Sequence, residues 1–326
     1  MHERPAGAPT FEDVLAARDR IASHVNRTPV MTSRTLDERA GVRVFMKCET
    51  FQRGGAFKAR GALNTVLQLT DREAANGVAA HSSGNHAAAL AIAAAERGVP
   101  CYVVMPVDVP KAKVDAVRSY GARIVECAPT MQARESTLAE VIASTKAYEV
   151  HPYDDPRVIA GQGTACLELL EDHPEIALVI APVSGGGLLS GTAIAAHGLD
   201  ATRRVWGAEP AGVDDAYRSF DAGRRISGAT GTTIADGLRA ELSDRTFEIL
   251  RQHVEGIVRV DDVEIVEAMR FLFERAKLVV EPAGATALAG MFAFPEALPG
   301  QVGVILSGGN LGLDDNQAVN ARAAEE

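Results

Sequence analysis

The 326-residue chain is short of several things, and each shortage removes a class of protein. Positive charge is in deficit: 33 Lys and Arg stand against 43 Asp and Glu, a formal net charge of -10. That balance argues against nucleic acid or an anionic membrane as the main partner, so local groups must hold any anionic ligand. No apolar run is long enough to span a bilayer. The polar, Pro-containing start from Met1 to Thr10 has no signal-peptide core. A soluble cytoplasmic protein is expected, with loose ends at Met1 to Thr10 and at about Asn320 to Glu326. The four cysteines (Cys48, Cys101, Cys127, Cys166) lack metal-type spacing and read as reduced, buried thiols. Lysine is scarcer still. Of the basic residues only Lys47, Lys58, Lys111, Lys113, Lys146 and Lys277 are Lys, so a lysine in an apolar, Gly-rich setting asks for a reason.

What is present is alternation. Short apolar runs at Val42 to Lys47, Gly77 to His81, Cys101 to Met105, Arg123 to Glu126 and Tyr148 to His151 read as strands. So do Ala177 to Ala181, Arg204 to Ala208, Gly256 to Val260 and Val302 to Leu306. Helix-period segments lie between them, among them Phe57 to Leu69, Asn85 to Arg97 and Met131 to Lys146. Strands alternating with helices predict an α/β protein with parallel sheets and right-handed crossovers. Three strands stop at small polar turns: His81-Ser82-Ser83-Gly84-Asn85, Ser184-Gly185-Gly186-Gly187 and Ser307-Gly308-Gly309-Asn310. Ligands of open α/β sheets bind beyond the carboxyl ends of strands, so one cleft lined by backbone N–H groups and small hydroxyls is expected.

The Ser184 to Leu188 turn opens a helix, and successive glycines let a phosphate approach its free N–H groups. It is neither a Walker A loop nor a Gly-x-Gly-x-x-Gly fingerprint, which weakens the NTPase and dehydrogenase alternatives. No Gly-x-Ser-x-Gly elbow supports a serine hydrolase. Lys58 lies in Gln52-Arg53-Gly54-Gly55-Ala56-Phe57-Lys58-Ala59-Arg60-Gly61-Ala62, just inside a helix start. The helix's positive end, with Arg53 and Arg60, is expected to disfavour its ammonium and lower its pKa, as a Schiff-base lysine requires.

This stretch resembles the cofactor-lysine signature of fold-type-II pyridoxal-phosphate enzymes, in the serine/threonine dehydratase and serine racemase branch. Further matches follow in the family's order. They are Ser82 to His86, Ile159-Ala160-Gly161-Gln162-Gly163-Thr164, Ser184 to Leu188, Ala208-Glu209-Pro210, Thr233-Ile234-Ala235-Asp236-Gly237, Glu281-Pro282-Ala283-Gly284 and Ser307 to Asn310. The likeness runs from about residue 28 to about residue 313. Two positions depart from it: Gly54-Gly55-Ala56 replaces the usual Thr-Gly-Ser, and Ser184 replaces the first glycine of the phosphate loop. Both bear on substrate preference more than on the cofactor.

The resemblance implies two open parallel-sheet domains of the tryptophan synthase β-like kind. Residues 76–151 would form the smaller, residues 1–75 and 152–326 the larger, with pyridoxal 5′-phosphate in the cleft between them. It implies cofactor contacts from Phe57, Lys58, Asn85, Ser184, Gly185, Gly186, Gly187, Leu188, Glu281 and Ser307. Lys58 would bind the cofactor and serve as base. A neutral Ser307 at the ring nitrogen would favour loss of a β-leaving group over transamination. Ser82, Ser83, Asn85 and His86 would grip the substrate carboxylate, unless the serines merely cap the following helix. Ser83 would be the opposite-face proton donor, and Arg134 a cation for a second carboxylate. Glu209, Asp215 and the Val213 carbonyl would hold Mg²⁺ or Ca²⁺, the alternative being solvated carboxylates with Asp215 capping the next helix. A homodimer is expected. The leading activity is dehydration of L-threonine or L-serine to a 2-keto acid and ammonia. Serine racemase and 3-hydroxyaspartate dehydratase are the alternatives, and a non-catalytic cofactor-binding protein a distant one. With so little sequence after Asn310, the C-terminal regulatory domain of the biosynthetic threonine enzymes is not expected.

Overall fold

The computed structural model of the chain describes residues 7–228, 231–294 and 298–312. Its strands are β1 (Val30–Met31), β2 (Val44–Cys48), β3 (Val78–His81), β4 (Cys101–Pro106), β5 (Arg123–Cys127) and β6 (Tyr148–Glu149), followed by β7 (Ile176–Pro182), β8 (Arg204–Pro210), β9 (Gly256–Val260) and β10 (Gln301–Leu306). They form a six-stranded sheet in the order β1-β2-β10-β7-β8-β9 and a four-stranded sheet in the order β5-β4-β3-β6. Each expected strand forms within two residues of its expected ends. The expectation of purely parallel sheets needs one amendment. Val30 and Met31 add an antiparallel edge to β2, too short to show any apolar period.

Alternate residues of the large sheet feed two cores. Phe45, Val179, Ala181 and Ile305 pack on one face, and Val44, Met46, Leu178, Ile180 and Val304 on the other. A sheet covered on both faces needs strands apolar throughout, which is why β2, β7 and β10 read as continuous runs. The small sheet divides likewise, with Val78, Ala80 and Val103 against Ala79 and Val104.

The helices that position the cleft are α1 (Phe11–Ile21), α2 (Lys58–Gln68), α3 (Asn85–Arg97), α4 (Met131–Thr145) and α5 (Pro156–Asp172), then α6 (Gly187–Leu199), α7 (Asp215–Ala222) and α8 (Pro282–Phe292). Local chemistry sets their starts: α5 opens with Pro156 in its first turn and the Asp155 side chain on the Arg157 N–H. The N-terminal expectation is corrected in part. Thr10 is no loose residue but the cap of α1, in a reciprocal capping box with Asp13. Residues 1–6 and 320–326 lie outside the described residues. Among the described residues no helix is long and apolar enough to cross a membrane.

Candidate active site

Two of the three polar turns meet directly. Asn85, the first residue of α3, donates through Nδ2 to Glu281 Oε1 at 2.7 Å and accepts from Asn310 Nδ2 at 2.8 Å. Asn310 also donates to the Gly54 carbonyl, and the Phe57 N–H donates to the Ser307 carbonyl at 3.0 Å. A bridge between Ala56 and Gly308 completes the link, so the lysine segment is laid against the end of β10. A Cβ on Gly308 would run into the Glu281 carboxyl and the Ala56 Cβ, so a larger residue there would displace the group that holds Asn85. Ser307 is buried, its hydroxyl within 3.4 Å of the Ala283 carbonyl.

Lys58 is the first residue of α2, and its Nζ donates to the Pro152 carbonyl at 2.8 Å. Its Nζ also lies 5.0 Å from the centroid of the Phe57 ring. Burial pulls its pKa down to about 8. The expected cause is corrected here. Arg60 is engaged by Glu49 and Glu168, and Arg53 by Glu96, so desolvation does what neighbouring arginines were expected to do. Sequence gave no hint of the Pro152 carbonyl, since any residue can supply one.

The phosphate-loop candidate lies at the end of β7. Ser184 stands at φ 101°, unusual for a residue with a side chain. Its hydroxyl compensates by bonding the Gly237 carbonyl and the Ala240 N–H, both at 3.3 Å. The Gly-to-Ser departure is thereby tied to the Asp236 to Leu238 turn. Gly186 at φ 83° precedes α6, whose start has no side-chain cap. Gly185 packs under the Tyr153 ring, with no room for a Cβ, and Leu188 is buried in the core. Uncapped helix N–H groups behind a bare glycine turn suit a phosphate, and a desolvated amine suits an aldehyde. The residues present therefore fit pyridoxal phosphate.

The substrate-loop residues are less uniform. Ser82 accepts weakly from the Gly84 N–H at 3.4 Å, and Gly84 starts α3 without a side-chain cap, so the serines are not helix caps. Ser83 is half-buried. His86 differs from expectation: its ring is 3% exposed, with Nε2 on the Val150 carbonyl at 2.9 Å and Nδ1 unpartnered. Burial, and then the Lys58 charge, hold its pKa down at about 3. It is a neutral residue, and no cation for a carboxylate. Arg134 on α4 lies close enough to depress His81, after burial, and makes no side-chain ion pair or hydrogen bond among the described residues.

Glu209 at the end of β8 accepts from the Ala216 N–H at 3.1 Å and the Tyr217 N–H at 2.7 Å. Glu209, and not Asp215, closes the start of α7. Burial raises Glu209 to about 8, and burial followed by Glu241 raises Asp215 to about 6. Val213 is buried, and Asp215 Oδ2 is buried without a partner. Among the described residues no group of three or more His, Cys, Asp or Glu is arranged to hold a metal.

The fold and cleft thus define a fold-type-II pyridoxal-phosphate enzyme, and comparison with known proteins agrees: the chain belongs to the family described as pyridoxal-phosphate dependent enzyme, matched over residues 21–308. It is 50% identical over 307 residues to a β-hydroxyaspartate dehydratase of Paracoccus denitrificans, covering 94% of this chain and 98% of that one. It is 46% identical over 310 residues to a serine racemase of Arabidopsis thaliana, covering 92% and 94%. The structure of maize serine racemase superposes with a TM-score of 0.93 at 42% identity, covering 98% of both chains.

Proposed function

We propose that the protein dehydrates 3-hydroxyaspartate to oxaloacetate and ammonia. The observation that carries this is Arg134, a cation within electrostatic reach of His81, the residue that leads into the Ser82 to Asn85 turn, with no ion-pair partner among the described residues. Threonine and serine, the first expectation from sequence, offer nothing for it to meet. The likeness to the Paracoccus dehydratase favours the same alternative.

When bound, pyridoxal phosphate acts as an electron sink for the substrate's α-carbon. The chain supplies the rest. The N–H groups at Gly185 to Leu188 would hold the phosphate, Asn85 and Ser307 the ring, and Phe57 would pack beside it. Glu281, raised to about 7 by burial, bonds Asn85 and fixes its amide. Lys58 Nζ would take the α-proton, since a pKa of about 8 leaves about a tenth of it as free amine at pH 7, far more than an ordinary lysine keeps. The Ser82 to Asn85 turn would take the α-carboxylate and Arg134 the β-carboxylate. Ser83 Oγ would face the opposite side of the α-carbon, where a proton delivered would give the D-isomer. The β-hydroxyl leaves as water, and hydrolysis of the imine releases ammonia.

Arg134→Leu tests the substrate assignment. It should raise KM for 3-hydroxyaspartate by about 10–100-fold, the loss of a charge-assisted pair. Turnover of L-serine should be unchanged. Equal loss on both substrates would refute the role.

A divalent cation between Glu209 and Asp215, with the Val213 carbonyl and water, is part of the proposal, supported by the unpartnered Asp215 Oδ2. It would relieve two carboxyls whose burial disfavours their charge. Chelation should lower Tm, and Mg²⁺ or Ca²⁺ should restore it in the wild type but not in Asp215→Asn. A Tm indifferent to both would remove the ion.

A further inference from the structure

Helix α5 carries Ala160-Gly161-Gln162-Gly163-Thr164, a motif with no reacting group of its own. Successive helical residues turn by about 100°, so positions 161 and 163 face nearly opposite sides. A Cβ on Gly161 would meet the Arg60 carbonyl at 2.5 Å and the Gly61 Cα at 2.8 Å, both on α2. A Cβ on Gly163 would meet the Gly191 carbonyl at 2.7 Å, on α6. Conversely, a Cβ on Gly191 would meet the Gly163 N at 2.6 Å. Three helices are therefore stacked backbone on backbone through glycines. The outer two begin at the sites that matter: α2 with Lys58, α6 with the glycine turn.

Gln162, between the two glycines, fills the remaining gap. It is fully buried, and its Nε2 shares the Pro152 carbonyl with Lys58, at 3.3 Å against 2.8 Å. Its Oε1 has no partner and lies 2.7 Å from where a Gly187 Cβ would be. On its far side, α2 is locked to α5 by Arg60, which donates to Glu168 Oε1 at 2.7 Å and Oε2 at 2.8 Å.

We propose that Gly161 and Gly163 are spacing residues: α5 fixes the distance between the Lys58 amine and the phosphate turn, with Gln162 as the filler between them. The inference rests on Lys58 and the glycine turn holding the two ends of pyridoxal phosphate. Side chains packed between the helices would spread the two ends, and an alanine here costs the fit although it favours a helix.

The test is Gly163→Ala in the apoprotein, titrated by absorbance with pyridoxal phosphate and with pyridoxal, which lacks the phosphate. Kd for the phosphate ester should rise by about tenfold or more, and Kd for pyridoxal by no more than about twofold. Gly303→Ala crowds the Leu169 methyl on the sheet side of the same helix and should change neither. Gly161→Ala, which keeps the test open should Gly163→Ala fail to fold, acts on α2. It should slow covalent capture of both aldehydes while inorganic phosphate competes with undiminished affinity. Equal losses for ester and pyridoxal in Gly163→Ala, or none, would overturn the spacing role. A wild type binding both aldehydes equally would instead defeat the underlying site assignment.

Discussion

Two lysines lie within twelve residues of each other in sequence, Lys47 fully buried and Lys58 half-buried, and they are treated in opposite ways. Lys47 on β2 is fully buried, donates to Glu168 at 2.6 Å and to the Thr28 carbonyl at 2.8 Å, and belongs to a closed set with Glu49, Arg60 and Glu168. Burial lowers its pKa, but Glu168 and Glu49 oppose that. Lys58 has one carbonyl and no counter-charge, so nothing resists the fall to about 8. Burial alone does not make a reactive amine. The absence of a carboxylate partner does.

The sharpest way to break this comparison is to remove each lysine in turn. Lys58→Ala should cost at least about 10²–10⁴-fold in kcat, the range of a lost acid–base group, with little change in Tm. Lys47→Met should do the reverse. It leaves two buried carboxylates facing the Arg60 guanidinium alone, an imbalance worth about 3–5 kcal/mol of stability by chemical denaturation. A Lys47→Met protein as stable as wild type would show that the network is not closed.

A smaller effect sharpens the contrast. The free amine is the reactive form, so pyridoxal phosphate should attach to the apoprotein faster as pH rises, passing half its maximal rate near pH 8 and levelling off above about pH 9. A solvated lysine would keep gaining to above pH 10. The linkage has a definite sign. Between about pH 8 and the ordinary lysine range the unfolded chain holds a proton on Lys58 that the folded chain has shed, so this residue's contribution to stability rises with pH there. Stopped-flow absorbance across pH 6.5–10 reads the profile, and a rate still climbing at the upper end contradicts the assignment.

The two lysines also show what was legible beforehand. Strands were legible because a sheet covered on both faces must be written as apolar runs, as in Ile176 to Pro182. Lys58 was legible through the glycines around it and its family's motif. Lys47 was not: its partner Glu168 is 121 residues away, and no local pattern marks a contact of that separation. The Pro152 carbonyl was hidden because a backbone acceptor leaves no trace in residue type. His86 was misjudged for a related reason. Its place next to the polar Ser82 to Asn85 turn suggested a side chain facing the substrate, whereas the turn of α3 carries the ring inward to Val150.

The most direct measurement is borohydride reduction of the purified holoenzyme followed by peptide mass mapping. The added cofactor mass should sit on the peptide containing Lys58 and on no peptide containing Lys47. A label on Lys47, or on any lysine other than Lys58, would contradict the distinction between the paired and the unpaired amine.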